Sequence, residues 1–279
     1  MSLAPGRIDV VYPNRPHLQD EAEPGLIDTH CHLDCDLLRP HLPVLLSSAR
    51  EAGVTGWVVP GVHPTDWTRM AETAREHSGV QCAFGIHPMH ADLADEHTLS
   101  QLAGIAASGI AVGEIGLDPH YPIPLEIQEM AFRAQLRVAV SLKLPVLIHC
   151  RRSFQHTLQV LAEEGAQRVG GIMHAFSGSL EMAREFIRLG FAISISGTVT
   201  WRNAVRPVRL ARQIPLEWMV FETDAPDMTP QCFRGEFNRP EWMRETVVVV
   251  AEMRDMLVAD LIGITVTNTR RILPRLQLL

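Results

Sequence analysis

Two histidines two residues apart, His30 and His32, are the first residues in the sequence whose types and spacing suit metal chemistry. They follow the apolar pair Leu26 and Ile27, which predicts a short strand. Side chains alternate faces along a strand, so both histidines point to the same side. Two imidazoles on one rigid strand form half of a metal site. A strand end that carries two surface histidines is the alternative interpretation of this stretch alone.

The composition is that of a folded chain with a substantial core. Of its 279 residues, 46% are apolar, enough for one large domain or two small ones. No apolar run reaches the roughly 18 residues that a membrane-spanning helix needs, and residues 1–25 lack the apolar stretch of a signal peptide. We therefore expect a cytoplasmic protein with no membrane partner. The five cysteines are odd in number and form no C-x-x-C pair, which favours buried free thiols.

The charge of the chain limits how it can bind nucleic acid. A formal net charge of −7 argues against a surface that is basic overall and attracts nucleic acid without specificity. A local basic patch remains open. Any nucleic-acid substrate is therefore expected to be short or bound by its end.

From residue 26 to the C-terminus, short apolar runs alternate with amphipathic segments through eight cycles. The runs predict strands at residues 26–32, 56–60, 80–87, 110–117, 145–150, 171–176, 191–197 and 219–224. The segments have helical periodicity and predict helices at residues 44–52, 125–142, 158–164, 180–189 and 205–214, with closing helices at residues 242–256 and 261–273. Strands separated by helices imply right-handed crossovers and a parallel sheet.

Eight such units predict an α/β fold, a closed (β/α)8 TIM barrel. The chain is close to the ~250 residues typical of this fold, so residues 26–279 are expected to form a single domain. A doubly wound open sheet is the alternative, but it requires a glycine-rich phosphate turn after the first strand, which residues 30–35 do not provide. Residues 1–25 contain four prolines and no apolar period, which predicts an extended N-terminal arm.

Polar residues end six of the eight predicted strands, and barrel enzymes place their active sites at the carboxyl ends of the strands. Six of these residues are candidate metal ligands: His30, His32, Glu114, His149, His174 and Asp224. A structural contact explains each one alone equally well, but their joint placement favours a shared site. Nitrogen and oxygen donors suit Zn²⁺, Mn²⁺ or Fe²⁺ and tolerate Mg²⁺. Six are too many for one tetrahedral ion with an open position, which indicates two divalent ions bridged by a carboxylate.

Lys143, the single lysine of the chain, narrows the choice of bridging group. Some two-metal barrels bridge their ions with a carboxylated lysine, and Schiff-base barrels need a lysine nucleophile at a strand end. Lys143 precedes the fifth predicted strand and so lies at the opposite end. Both possibilities are therefore disfavoured, and Glu114 is predicted to bridge the ions.

Five further residues near the strand ends are candidates for roles around the metal site. His87 is predicted to orient the substrate or donate to a leaving group, with a structural loop histidine as the alternative. Arg151 and Arg152 are predicted to clamp a phosphate, with surface salt bridges as the alternative. Asp34 and Glu222 are predicted to accept hydrogen bonds from ligand histidines.

Six motifs stand in order along the chain: IDTHCHLD at 27–34, GIHP at 85–88, VGEIGLD at 112–118, LIHCR at 147–151, HAFSG at 174–178 and ETDAP at 222–226. Together they resemble the TatD family of metal-dependent hydrolases. Residues 225–228 and 238–241 are most similar to the YjjV-like branch of that family. The resemblance implies a barrel with a divalent-metal centre and deoxyribonuclease activity, often exonucleolytic from 3′ to 5′.

The resemblance also implies roles residue by residue. The implied ligands are His30, His32 and Asp224 for one ion, His149 and His174 for the other, and Glu114 for both. His87 matches a position implicated in substrate or phosphate handling. Two features depart from the family: the arm before residue 26 is longer, and Arg239 stands where many members carry Glu in an Asn-Glu-Pro motif. The first leaves the arm unexplained, and the second bears on substrate preference but not on the metal centre.

Metal-assisted hydrolysis of a phosphodiester in DNA, with single-stranded DNA as the expected substrate, is the leading hypothesis. Asp224 is the candidate base for a water activated by the ions, and Glu114 and His87 complete the catalytic set. Loops that carry Arg202 and Arg234, together with Arg151, are expected to hold the nucleic-acid backbone. No obligatory protein partner is predicted.

Two alternatives belong to other functional classes. The same centre could hydrolyse an ester, a lactone, an amide or the aminoacyl bond of a charged tRNA, because the ligands do not distinguish a carbonyl from a phosphoryl group. A non-catalytic scaffold that binds a partner protein would be expected to lack one or more ligands. All six are present.

Overall fold

Eight parallel strands form one nearly closed barrel in the computed structural model, which describes residues 25–277. The strands stand in chain order, each hydrogen-bonded to the next: β1 (Leu26–Asp28), β2 (Val54–Pro60), β3 (Val80–Phe84), β4 (Ala111–Leu117), β5 (Val146–Cys150), β6 (Gly171–Met173), β7 (Phe191–Ile195) and β8 (Met219–Phe221). This arrangement confirms the predicted TIM barrel of the α/β class. The predicted arm lies outside the described residues except for Gly25.

Within residues 25–277, an α-helix follows every strand and a ninth helix ends the fold. The helices are α1 (Leu42–Glu51), α2 (Trp67–Glu76), α3 (Glu96–Ala106), α4 (Leu125–Leu142), α5 (Phe154–Glu163), α6 (Leu180–Arg188), α7 (Arg206–Gln213), α8 (Met243–Met253) and α9 (Val258–Ile272). The two predicted closing helices correspond to α8 and α9. None of these helices is both long and apolar enough to cross a membrane.

Several predicted strands are longer at their carboxyl ends than the strands in the structure. β6 ends at Met173 and β8 ends at Phe221, each three residues before the end of the predicted strand. Ala175 and Asp224 have a left-handed backbone, with φ of 42° and 56°, which a strand cannot contain. The candidate ligands at these ends therefore lie in loops just beyond the sheet.

Loops that extend β1 and β8 complete the closure of the barrel. Thr29 N donates to Phe221 O at 3.0 Å, and Asp224 N donates to His30 O at 2.9 Å. These backbone bonds continue the pairing beyond the strand ends. They bring two candidate ligands, His30 and Asp224, side by side.

Alternation along the strands aims several site residues into the barrel. Small and branched apolar side chains fill its amino-terminal end, where the last residues of α9 pack against them. Leu147, Ile172 and Val220 belong to this inner layer. Two positions further along the same three segments, alternation points side chains to the same side again: His149, His174 and Glu222.

The five cysteines, all within the described residues, are free. Cys31, Cys82 and Cys150 are buried, as the sequence predicts, and Cys35 is half-buried. Cys232 is exposed because it lies in a single surface turn, Gln231–Phe233. The expectation of buried thiols is therefore wrong for this one residue.

Candidate metal centre

The candidate ligands meet at the carboxyl-terminal end of the barrel, around the carboxylate of Glu114. Glu114 Oε1 lies 2.7 Å from His149 Nδ1 and 3.7 Å from His174 Nε2. Glu114 Oε2 lies 3.1 Å from His30 Nε2, and His87 Nε2 is 3.8 Å from Glu114 Oε1. The Glu114 side chain is only 2% exposed. One buried carboxylate thus faces histidines from the ends of four different strands.

A break in the strand ladder aims Glu114 into the barrel. Val112 and Ile115 both belong to the main apolar core, which lies between the sheet and the helices, so strict alternation would turn residue 114 outward with Val112. The pairing of β4 with β5 shifts register between Val112 and Ile115, as at a β-bulge, and such shifts re-aim side chains. Gly113 permits the close packing here, because a Cβ at this position would lie 2.6 Å from Leu147 Cβ.

Asp224 supplies a second carboxylate to the same cluster. Its Oδ1 lies 3.5 Å from His32 Nε2, 3.7 Å from His174 Nε2 and 3.9 Å from His30 Nε2. His32 is the most open of these groups, with 19% of its side chain exposed. Asp224 and Glu114 therefore share His30 and His174, which lie between them.

The His30 ring tests whether these residues suit a metal ion. Both of its nitrogens are buried and lack a hydrogen-bond partner. Glu114 Oε2 is near Nε2, but not in line for a hydrogen bond. A buried nitrogen without a partner costs about 1–3 kcal/mol, and coordination of a cation would satisfy it. The donor set fits a divalent metal, with His30, His32 and Glu114 forming one group of mutually close ligand atoms, and His87, Glu114 and His149 another.

The two residues predicted to orient ligand histidines lie in different surroundings. Glu222 Oε2 accepts from His174 Nδ1 at 3.0 Å, and Glu222 Oε1 accepts from Ala175 N at 2.6 Å. That contact turns His174 Nε2 toward the two central carboxylates. Asp34 instead lies 3.6 Å from Arg69, and within residues 25–277 no hydrogen bond joins it to a histidine.

Asp118 contacts the centre and was not predicted to do so. Its Oδ2 lies 3.0 Å from His149 Nε2, while its Oδ1 accepts from His120 N at 2.9 Å. Asp118 is the first residue after β4 and ends the VGEIGLD motif. Its position directly after a strand is the signal that could have identified it.

Asp28 is a second unpredicted residue, and it supports the centre from below. It is completely buried and accepts hydrogen bonds from Thr223 N at 2.9 Å, Thr223 Oγ1 at 2.5 Å and His30 N at 3.3 Å. Burial raises the pKa of Asp28 to about 7, even though these hydrogen bonds lower it. Asp28 therefore joins the ends of β1 and β8 directly beneath His30.

Burial and the surrounding carboxylates act in opposite directions on the histidines. Burial lowers the pKa of His87 to about 3. Burial also lowers the pKa of His174, but the nearby carboxylates, first among them Glu222, outweigh it and raise that pKa to about 10. For His149, hydrogen bonding, first of all to Asp118, outweighs burial and raises the pKa to about 8. The carboxylates thus favour positive charge at this end of the barrel.

The contact between Asp118 and His149 leads to a prediction about metal affinity. We expect Asp118→Ala to weaken Mn²⁺ binding by about 10- to 100-fold, because the His149 ring loses the group that fixes its orientation. Isothermal titration of the metal-free protein with Mn²⁺ measures the change. Asp260→Ala, on the exposed face of α9, should bind as the unchanged protein does. An Asp118→Ala variant with undiminished affinity would contradict the prediction.

The centre opens into two cavities. The smaller, of about 550 Å³, contains His32, His87 and Glu114, and the larger, of about 700 Å³, contains Asp118. Five residues line both cavities: Tyr121, His149, His174, Asp224 and Asp227. Tyr121, whose ring lies 5.3 Å from that of His87, is a further site residue that sequence reasoning missed.

The candidate phosphate-binding arginines are not equally placed. Arg151 is exposed and lines the larger cavity. Arg152 is also exposed but lines neither cavity. Arg202 is exposed beside Trp201, and the guanidinium of Arg234 lies over the Trp201 ring. Three of the four arginines are thus in or near the larger cavity.

The protein is a TIM barrel with histidines and carboxylates clustered at the carboxyl ends of its strands. This fold and site are those of the metal-dependent barrel hydrolases. The sequence profile of the family described as TatD related DNase matches residues 27–274. The chain therefore belongs to the TatD family, as the motifs predict, and is a metal-dependent hydrolase.

Individual relatives support this assignment. The chain is 36% identical over 250 residues to the uncharacterized metal-dependent hydrolase YabD of Bacillus subtilis, with 88% of this chain and 98% of YabD covered. It is 34% identical over 248 residues to the uncharacterized metal-dependent hydrolase YjjV of Escherichia coli, with 87% and 95% covered. The crystal structure of YjjV, a TatD homologue, matches with a TM-score of 0.85 at 32% identity, over 89% of this chain and 98% of that one.

Proposed function

We propose that this protein is a divalent-metal-dependent deoxyribonuclease that hydrolyses the phosphodiester bonds of single-stranded DNA from the 3′ end. The observation that carries the proposal is the buried His30 ring, whose nitrogens lack hydrogen-bond partners beside the carboxylates of Glu114 and Asp224. The description of the family as TatD related DNase supports DNA as the substrate.

Two divalent ions, Zn²⁺, Mn²⁺ or Mg²⁺, match the charge of the site. Four buried carboxylates contact the rings of the ligand histidines: Glu114, Asp118, Glu222 and Asp224. Two divalent ions carry the charge that neutralises these groups. The assigned ligands are His30, His32 and Asp224 for one ion, His149 and His174 for the other, and Glu114 for both. Glu222 and Asp118 hold the rings of His174 and His149 in place.

When bound, the ions supply Lewis acidity, which polarises a phosphoryl oxygen and lowers the pKa of a water molecule toward neutrality. Asp224 accepts the proton of the attacking water, since its carboxylate lines both cavities and faces three of the histidines. Glu114 remains ionised among the imidazoles: burial raises its pKa, but the neighbouring histidines, first of all His30, outweigh burial and hold that pKa well below its usual range.

His87 is placed to donate a hydrogen bond from Nε2 toward the substrate. Its Nδ1 accepts from Met89 N at 3.2 Å, so a neutral ring carries its proton on Nε2. Nε2 is also the atom that faces Glu114. From this position the neutral ring donates a hydrogen bond to an oxygen of the scissile phosphate or to the leaving oxygen, and it keeps its proton.

Arginine side chains hold the phosphate backbone outside the metal centre. Arg151 lines the larger cavity, and we assign it to the phosphate next to the scissile bond. The exposed Arg202 and Arg234 lie near this cavity and are assigned weaker, sequence-independent contacts, and Arg152, which lines neither cavity, is assigned a contact farther along the backbone. Their clustering offsets the net negative charge of the chain where the substrate enters.

The proposed function is tested by metal-dependent hydrolysis. The purified protein is stripped of metal by chelation, Mg²⁺, Mn²⁺ or Zn²⁺ is added back, and 3′-labelled single-stranded DNA is supplied. We expect labelled mononucleotide to be released first, and only after metal is restored. An oligonucleotide blocked by an inverted 3′-terminal nucleotide should resist, because it offers no 3′ end.

Parallel reactions with an aryl ester, a lactone and an aminoacyl-tRNA separate the alternative activity. Intact DNA together with a cleaved ester or aminoacyl bond would overturn the nuclease proposal and leave the metal-dependent hydrolase in place. Turnover of any substrate by fully metal-free protein would contradict the metal centre itself.

A further inference from the structure

The larger cavity extends from the metal centre to a tryptophan that is fixed in its wall. His149, His174 and Asp224 line its inner end, and Trp201 and Val205 line it farther out. Val205 is 77% exposed, although such an apolar side chain gains free energy when it is covered. This cavity therefore offers an apolar contact surface within the same space that the residues of the metal centre line.

Two contacts hold the indole of Trp201 in one orientation. Its Nε1 donates to Thr229 O at 2.9 Å. The guanidinium carbon of Arg234 lies 4.4 Å from the centroid of the ring, a cation–π contact that occupies one face. Trp201 is only half-buried and lines the cavity. A large aromatic surface is thus pre-positioned beside the metal centre, and little entropy is lost when a ligand packs on it.

The loop that carries Trp201 is bonded to the loop after β8. Gln231 N donates to Thr200 Oγ1 at 2.7 Å, and Arg202 N donates to Gln231 Oε1 at 3.1 Å. Gly197 lies so close to this second loop that a Cβ there would come within 2.3 Å of Met228 O. The two loops therefore form one rigid wall.

The smaller cavity repels a phosphate chain. Apart from the metal centre, its charged lining includes Asp34, Asp36 and Asp66, against a single arginine, Arg69. Arg69 already pairs with two of them, lying 3.6 Å from Asp34 and 3.1 Å from Asp66. Little positive charge remains there for a phosphate.

In the larger cavity, the balance of basic and acidic side chains is the opposite. Apart from the residues shared with the smaller cavity, its charged lining consists of Arg151, Arg206 and Asp118, and Asp118 is already in contact with His149. Single-stranded nucleic acid binds where a basic groove lies beside aromatic rings on which bases stack. Arg151, Arg206 and Trp201 provide both elements on this side of the centre only.

We propose that the larger cavity receives the nucleoside on the 5′ side of the bond being hydrolysed and that the base of this nucleoside stacks on Trp201, while Arg151 and Arg206 contact the adjoining phosphates. This assignment rests on the proposed nuclease function. The chain of the substrate then leaves through the larger cavity, and the released 3′-terminal nucleotide occupies the smaller one.

The test compares Trp201→Ala with Trp201→Phe. We expect Trp201→Ala to weaken binding of a fluorescent single-stranded oligonucleotide by about 5- to 150-fold, the range for one stacked base. Anisotropy measures this with the metal-loaded protein and an oligonucleotide whose 3′-terminal linkage is a non-hydrolysable analogue. The KM for cleavage should rise in parallel, with kcat little changed. Trp201→Phe keeps a stacking surface but loses the bond to Thr229, so it should restore most of the affinity. Equal losses in both variants would show that Trp201 only anchors its loop, and would overturn the proposal.

Abasic substrates locate the base. Removal of the base from the penultimate 3′ nucleotide should weaken binding to the unchanged protein as much as Trp201→Ala does, and the variant should lose nothing more. Removal of the terminal base should leave the effect of Trp201→Ala intact. If removal of the terminal base, and not of the penultimate one, abolished the effect of Trp201→Ala, the assignment of the larger cavity to the 5′-side nucleoside would be wrong, although the nuclease function would stand. Failure of the unchanged protein to cleave any DNA would overturn both the assignment and the nuclease function.

A second tryptophan provides a matched control. Trp218 also has an arginine over its ring, with the guanidinium carbon of Arg271 at 4.5 Å, but it packs against the inner apolar layer at the amino-terminal end of the barrel. Trp218→Ala should leave oligonucleotide affinity within about 2-fold of the unchanged protein, since it removes no stacking surface from the site. An equal loss in both alanine variants would contradict the proposal.

Discussion

Glu114→Gln is expected to lower kcat/KM for single-stranded DNA by about 10³-fold or more. The carboxylate lies within 4 Å of histidines from four strands and is the proposed shared ligand. Its loss removes the several kcal/mol of charge stabilisation that metal ions give the transition state, and each 1.36 kcal/mol corresponds to about tenfold in rate. Steady-state kinetics with saturating Mn²⁺ measure the loss, and titration calorimetry shows whether one bound ion or both disappear.

The fold of the Glu114→Gln variant should survive. Glutamine has nearly the same volume and retains a hydrogen-bond acceptor, so we expect the free energy of unfolding to change by less than about 2 kcal/mol. Glu164→Gln is the matched control, because Glu164 also accepts from cationic groups, Arg133 and Arg137, but lies at the end of α5. It should keep full activity. Unchanged turnover in Glu114→Gln would contradict the bridging role.

The barrel could be predicted because the same pattern, a short apolar run followed by an amphipathic segment, is repeated along the chain. Each apolar run and the helix after it carry the same information, so errors at single boundaries do not change the fold. The directions of His149, His174 and Glu222 could be predicted as well. They continue the alternation of strands whose inner apolar residues fill the barrel.

The direction of Glu114 could not be derived from that rule. Its neighbours Val112 and Ile115 both face the main core, and the register shift that separates them has no mark in the residue pattern. Glu114 lies in the middle of β4, three residues before the strand ends, and the family motif identified it as a ligand. For this residue the motif therefore predicted the site better than the face of the strand did.

The residues that were missed depend on contacts between distant segments. Asp118 meets His149 across 31 residues of sequence, and Trp201 is fixed by Thr229 across 28 residues. Neither spacing follows from helical or strand periodicity. Local patterns predict which elements form, but the meeting of two loops is decided by the lengths and turns of both.

Asp224→Asn is the second variant with a large expected effect. We expect kcat to fall by about 10²- to 10⁴-fold, the contribution of a positioned general base, because an amide cannot accept the proton of the attacking water. Asparagine is the informative replacement, since Asp224 has a φ of 56° and asparagine tolerates this left-handed backbone. Alanine would add a conformational cost of about 1–2 kcal/mol, so Asp224→Ala should be inactive and also unfold at a lower temperature.

Asp255 provides the control for backbone strain at Asp224. It has a φ of 54° and is exposed in the turn after α8, so Asp255→Asn makes the same chemical change in the same conformation, far from the metal centre. This variant should retain full activity.

Calorimetry with Mn²⁺ separates the two roles of Asp224. Weaker metal binding in Asp224→Asn supports its role as a ligand, and undiminished binding with lost kcat leaves it as the base alone. An Asp224→Asn variant that keeps both its Mn²⁺ affinity and its kcat would contradict the ligand role and the base role. No other carboxylate oxygen in residues 25–277 lies within 4 Å of His32 Nε2 and could replace Asp224 there.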